Sequence, residues 1–140
     1  MLFRMATIAS VASLTLITAA EAQAASPEGV WVTASGNVEV KIAPCAKVLC
    51  GDVVKVLANR SMADPSAEVK GSPAKVGLRI LSELQRSDSH EWKGKIFNRE
   101  NGKTYDCIVK SRGETLEVRP YVGVPAMGKT QIWTRASPAN

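Results

Sequence analysis

The chain has 140 residues, 45% of them apolar and 22% charged, with a formal charge of +5 at neutral pH. That length suits one domain with one core, and no repeat or composition shift marks a second domain. The cations fall singly, as at Lys41, Lys55, Lys70, Lys93 and Lys110. Such scatter is a solvated surface rather than a nucleic-acid footprint, and it leaves room only for a weak attraction to anionic envelope surfaces.

The first stretch, MLFRMATIASVASLTLITAAEAQA, carries one cation (Arg4), an apolar run from Ala6 to Ala20, and small residues at Ala22 and Ala24. This is the pattern of a secretory signal peptide spanning residues 1–24, cut after Ala24, and it predicts a periplasmic or secreted protein. The run is short for a membrane span and is interrupted by Ser10, Ser13, Thr15 and Thr18, so the protein is not expected to span a membrane. Removing the leader takes away one Arg and one Glu and leaves the charge at +5. Residues 25–140 are then a single exported domain, a monomer by default.

From there the sequence alternates with a period of two, the signature of strands. GVW, from Gly29 to Trp31, opens the domain. NVEVKIA sets Val38, Val40 and Ile42 on one face against Asn37, Glu39 and Lys41 on the other. GDVVKVLA, from Gly51, is apolar enough to suggest a strand buried on both faces. Residues 59–75 are rich in Ser, Ala and Pro and form a long loop. SPAKVGLRILSELQ reads as one helical turn after Pro73, then a strand whose buried side runs through Leu78, Ile80 and Leu84. EWKGKIF, KTYDCIVK, TLEVRPYV and TQIWTR follow as four more strands, with Trp92, Gly94 and Ile96 sharing one face of the first. Ser35-Gly36, Asn101-Gly102 and Arg112-Gly113 stand where tight antiparallel turns are needed. The predicted fold is all-β: a single small antiparallel β-barrel of about eight strands, with at most one short helical turn, closed so that no edge is left exposed.

Three cysteines constrain the chemistry. In PCAKVLC, Cys45 and Cys50 lie five positions apart, and an oxidising compartment makes them a disulfide that pins a hairpin, with Gly51 supplying free dihedrals for the turn. Zinc would need a second ligand pair, and a thioredoxin-type motif would need two intervening residues instead of four. Cys107, alternating with Tyr105 and Val109, reads as a small buried apolar residue. His90 is the only imidazole and sits in a polar turn. The pairs Asp88/Glu91 and Glu114/Glu117 read as solvent-facing charges. No nucleophile elbow, metal-ligand spacing or glycine-rich phosphate loop occurs. No catalytic residue, metal or cofactor is therefore expected, and the protein is read as a non-enzyme.

Four stretches taken together, GVW, IAPCAKVLCG, GKIFNRENGKTYDC and LEVRPYVGVPAMGKTQIWTR, resemble the domain-of-unknown-function 2147 family, small exported bacterial proteins with a lipocalin-like barrel. The resemblance runs from Gly29 to Arg135 and is most specific in the last block. In lipocalin-like barrels a first-strand Trp packs at the barrel floor under an Arg of the last strand, which here implies Arg135 over Trp31. Two departures stand out. Pro120 replaces the usual Gly before the Tyr and removes a backbone donor, which suggests an edge or bulge. Residues 97–102 replace an acidic turn with a more basic one. The lipocalin-like topology, with Trp31, Trp92, Tyr105, Tyr121 and Trp133 on candidate wall strands and Arg119 and Arg135 beside them, points to a small apolar or amphipathic ligand, or an envelope component, held at an open barrel end. The alternative is a protein-interaction or inhibitor-type envelope module with a filled core, using the basic surface and the loop at 59–75.

Overall fold

In the computed structural model the described residues are 26–136 other than Ser72 and Ser89. The predicted signal peptide and its predicted cut after Ala24 lie outside the described residues. Eight strands follow in chain order: β1 (Gly29–Val32), β2 (Val38–Cys45), β3 (Val48–Val56), β4 (Arg79–Arg86), β5 (Trp92–Asn98), β6 (Lys103–Arg112), β7 (Thr115–Tyr121) and β8 (Gln131–Arg135). Each pairs antiparallel with the next, and β8 returns to β1, with Trp31 opposite Arg135 and Val32 opposite Thr134. The sheet is thus a closed eight-stranded up-and-down barrel, the expected architecture, and closure leaves no strand edge unpaired around the ring. The tight turns fall where the glycines stood in the sequence: Gly36, Gly102 and Gly113 all take positive φ.

The barrel has two unlike ends. At one, which we call the floor, the connections are short: 46–47, 87–91 and 113–114. At the other, the mouth, they are 33–37, 57–78, 99–102 and 122–130. The interior toward the floor is filled. Trp31, Leu81, Leu84, Val109, Leu116 and Val118 are all completely buried there.

The fourth strand departs from the predicted alternation. Between Asp52 and Gly51 its partner advances one residue while β4 advances two, from Arg79 to Leu81. A second extra residue falls between Ser82 and Gln85, where Glu83 takes φ of 54°. Each bulge reverses the facing of the residues beyond it. Ile80 and Leu81 are consequently both buried, Leu84 is buried, and Arg79 stays outside on Asp52 at 2.9 Å. Leu78 only packs against the core margin. The helical turn expected after Pro73 is instead a simple turn closed by Leu78 N–H donating to Lys75 O. One 3-10 turn does occur, at Pro125–Met127 between β7 and β8. The outer face of β3 also corrects its prediction: Val54 and Val56 are exposed, so the strand is buried on one face only.

Cys45 and Cys50 are joined across the β2–β3 hairpin, their Cα atoms 5.8 Å apart, a span typical of bridged pairs. The turn is made by Ala46 and Lys47, with Ala46 at φ 57°, and not by Gly51. Gly51 lies within β3, where a Cβ would stand 2.9 Å from Val40 Cγ1 and 3.0 Å from Leu81 Cβ. Its role is close packing of three strands. Replacing both cysteines with alanine is expected to lower unfolding free energy by about 2 kcal/mol, since so short a loop stores little closure entropy. Urea titration of the wild type and the double variant measures it.

Candidate functional site

Alternation tells which side chains point inward, and the register tells how far along the barrel each one sits. The seven aromatic and arginine candidates separate on that second coordinate.

Trp31 is at the floor. Its Nε1–H donates to Pro27 O at 2.8 Å, and the Arg135 guanidinium lies 4.3 Å from the indole ring centroid. Arg135 also donates to Gly113 O at 3.2 Å. Gly29 makes the stack fit: it has φ of 134°, and a Cβ there would come 2.6 Å from Arg135 Nη1. The predicted contact between the two chain ends is therefore present. Trp92 is near the floor too, opposite Val109 and Arg86, with the Arg86 guanidinium 5.3 Å from its ring. Arg119 is on the outer wall, where it donates to Pro125 O at 2.7 Å and Thr130 Oγ1 at 2.8 Å beside a groove of about 380 Å³. It ties the 3-10 turn to β7 and β8.

Tyr105, Tyr121 and Trp133 share a different place. They line a cavity of about 400 Å³ in the mouth, within the size range of small-ligand sites. Val38, Ile80 and Ile96 complete its inner wall, and Met62, Val122, Met127 and Lys129 stand at its rim. The barrel is thus filled toward the floor and hollow toward the mouth. Pro120 itself lines the cavity. Register pairing of β7 with β8 ends at Val118, and beyond it Pro120 meets that side only through its carbonyl, which accepts Lys129 N–H at 3.4 Å, so the missing donor costs no ladder bond there. Gly128 fits against it, since a Cβ would lie 2.4 Å from Pro120 O.

The long loop is folded over part of this mouth. Asn37, expected on the solvent face, is buried and acts as a clamp. Its Nδ2–H donates to Arg60 O at 2.7 Å, its Oδ1 accepts Arg60 N–H at 2.8 Å, and its carbonyl accepts the N–H groups of Leu57 and Ala58. The loop doubles back through a bridge between Arg60 and Glu68. Met62 N–H donates to Glu100 Oε1 at 2.6 Å, and Arg99 Nη1 donates to Asn59 Oδ1 at 3.0 Å. Arg99 is 8% exposed and lines the cavity. Burial pulls its guanidinium below the ordinary arginine range, with Glu100 opposing, but arginine remains a cation there. Neither Asn37 nor Arg99 had a sequence signal as a site residue. Asn37 read as a solvent-facing strand residue and Arg99 as a turn residue, because the loop that buries each lies more than twenty positions away.

The remaining titratable candidates stand apart from the cavity. His90 is exposed on the β4–β5 connection at the floor. Asp88 accepts the N–H groups of His90 and Glu91, Glu91 pairs with Lys110 at 3.2 Å, and Glu117 pairs with Arg112 at 3.0 Å. Cys107 is a free, fully buried thiol in the core. Burial, then Asp106, push it up to about 12, against a backbone hydrogen bond from Gly94 and the Lys95 charge. Among the described residues no group of three or more His, Cys, Asp or Glu is placed to hold a metal ion, and no helix is long and apolar enough to cross a membrane.

Comparison with curated proteins finds no match, and comparison with solved structures finds none either. The model of one protein family, described as an uncharacterized protein conserved in bacteria (DUF2147), matches residues 29–135. That stretch begins at the glycine under Arg135 and ends at Arg135 itself, so it covers the whole closed barrel, and the chain belongs to the DUF2147 family.

Proposed function

We propose that the protein binds a small amphipathic molecule in its mouth cavity, as an exported carrier or sensor and not as an enzyme. The observation that carries this reading is the division of the interior: packed toward the floor, open over about 400 Å³ toward the mouth. Ile80, Ile96 and Trp133 offer apolar wall, while Arg99, Lys129 and Gln131 offer polar side chains. A ligand with one apolar and one polar part satisfies both, which is the usual composition of such sites. Export through the N-terminal leader fits the Cys45–Cys50 disulfide, because such bonds persist in oxidising compartments.

The test is titration with anilinonaphthalene sulfonate, following energy transfer from tryptophan. Saturable one-to-one binding is expected in the wild type, weakened about tenfold or more in Ile80→Trp and in Ile96→Trp, which fill the cavity from two strands. Circular dichroism verifies that each variant is folded. Equal affinity in wild type and both folded variants removes the reading.

A further inference from the structure

The four connections at the mouth differ in chemistry from the three at the floor. Among the described residues the mouth connections carry five cations, Arg60, Lys70, Lys75, Arg99 and Lys129, against three carboxylates, Asp64, Glu68 and Glu100. The floor connections carry Lys47 against Asp88, Glu91 and Glu114. The mouth connections therefore carry a net positive charge and the floor connections a net negative one, the latter offset by Arg86, Arg112 and Arg135 at the adjoining strand ends.

Exposed apolar side chains are polarised the same way. Leu57, Met62, Val76, Val122, Val124 and Met127 all belong to mouth connections, with Val122 70% and Met127 77% exposed. No large exposed apolar side chain belongs to the floor connections among the described residues. Single exposed apolar residues are ordinary, but six of them gathered on the loops of one barrel end mark an interaction surface. Met62, Val122 and Met127 also line the cavity, so these side chains surround its opening.

We infer that the mouth end docks on an anionic phospholipid surface, with the tips of the loops at 57–78 and 122–130 entering among the head groups. Apolar side chains beside basic ones are what such an interface takes, the first burying in the head-group boundary and the second meeting lipid charge. A bilayer is favoured over a protein partner because the apolar residues come from separate loops around an opening and form no groove for a peptide. Docking this way also turns the cavity opening toward the lipid. The rim makes these contacts whether or not the cavity takes a ligand.

Flotation with lipid vesicles tests it, using protein purified from cells expressing the whole 140-residue chain. The protein is expected to float with phosphatidylglycerol-containing vesicles, to release as salt rises, and to stay behind with pure phosphatidylcholine. The double variant Val122→Asp/Met127→Asp, at two highly exposed positions, should lose about tenfold in partitioning. Lys129→Glu should lose severalfold, Lys47→Glu at the floor should behave as wild type, and the cavity-filling Ile96→Trp should still float. Flotation of the double variant equal to wild type overturns the proposal, as does equal flotation on neutral vesicles. So does a vesicle-free dimer, seen by ultracentrifugation, that the same double variant dissolves, because the apolar rim would then face a second copy.

Discussion

Trp31→Ala is expected to remove most of the folding free energy. The indole is fully buried at the floor, so its loss combines transfer and cavity terms of about 3–5 kcal/mol. It also strips Pro27 O of its donor and Arg135 of its aromatic face, the latter worth about 0.5–2 kcal/mol. Against a total of about 5–15 kcal/mol for a small domain, the barrel should be barely folded. The expected reading is a fall of about 2 M in the urea midpoint. Two further variants divide the effect. Trp31→Phe keeps much of the volume and loses the Nε1 donor, while Arg135→Leu keeps the floor filled and loses the cation. Arg135 joins β8 to β1 through Trp31 and reaches Gly113 O on the β6–β7 turn. Its loss should therefore free the last strand first, seen as faster amide exchange in β8 than in β5 or β6. If Trp31→Ala stays within about 1 kcal/mol of wild type, the floor does not anchor the barrel.

The same residue shows what could be learned without coordinates. Trp31 and Trp133 both alternate inward, and the sequence pattern marks both correctly as wall residues. Alternation cannot say that one seals the floor and the other faces a cavity; the floor position of Trp31 comes only from the family resemblance. Period two carries one bit per residue, in or out, whereas height along the barrel depends on register. Register here is set by hairpin turns and by bulges. The hairpins were readable, because Ser35-Gly36, Asn101-Gly102 and Arg112-Gly113 announce positive φ. The bulges of β4 were not, because neither Ile80 nor Glu83 differs in type from an ordinary strand residue. Those bulges bring Leu81 inside beside Ile80, and with it the reason for Gly51. The mouth was least legible of all. Its clamp depends on Asn37 meeting residues 57–60, and its buried Arg99 on meeting Asn59. These are contacts between loops, governed by no period. The disulfide was legible for the opposite reason: five positions and one hairpin are a local matter.

Cys107 should make the protein lose stability in alkali. In the core its thiol is held protonated up to about 12, mainly by burial and then by Asp106, while an unfolded chain releases the proton near 9.0. Below the unfolded value both states carry the proton, and the favourable burial of the neutral thiol is fully present. Above it the unfolded state binds fewer protons than the native one, so the unfolding free energy declines with rising pH until the native thiol also ionises. Two units above the unfolded value, near pH 11, the loss from this group is about 3 kcal/mol. Lysines and tyrosines also titrate in that range, so the signal lies in a comparison. Guanidinium unfolding of wild type and Cys107→Ala, each followed from about pH 8 to 11, should give curves that converge as pH rises, because alanine has no proton to lose. Parallel curves would show that the thiol ionises equally in both states and is not sealed in the core. Iodoacetamide supplies an independent reading at neutral pH. The thiolate is the reactive form, and Cys107 is fully buried between β5 and β7. Labelling should therefore require opening of the barrel, and its rate should rise in Trp31→Ala by the same factor as the unfolded population when opening is rapid compared with alkylation. Agreement between the two variants would tie the floor and the core thiol to one cooperative unit.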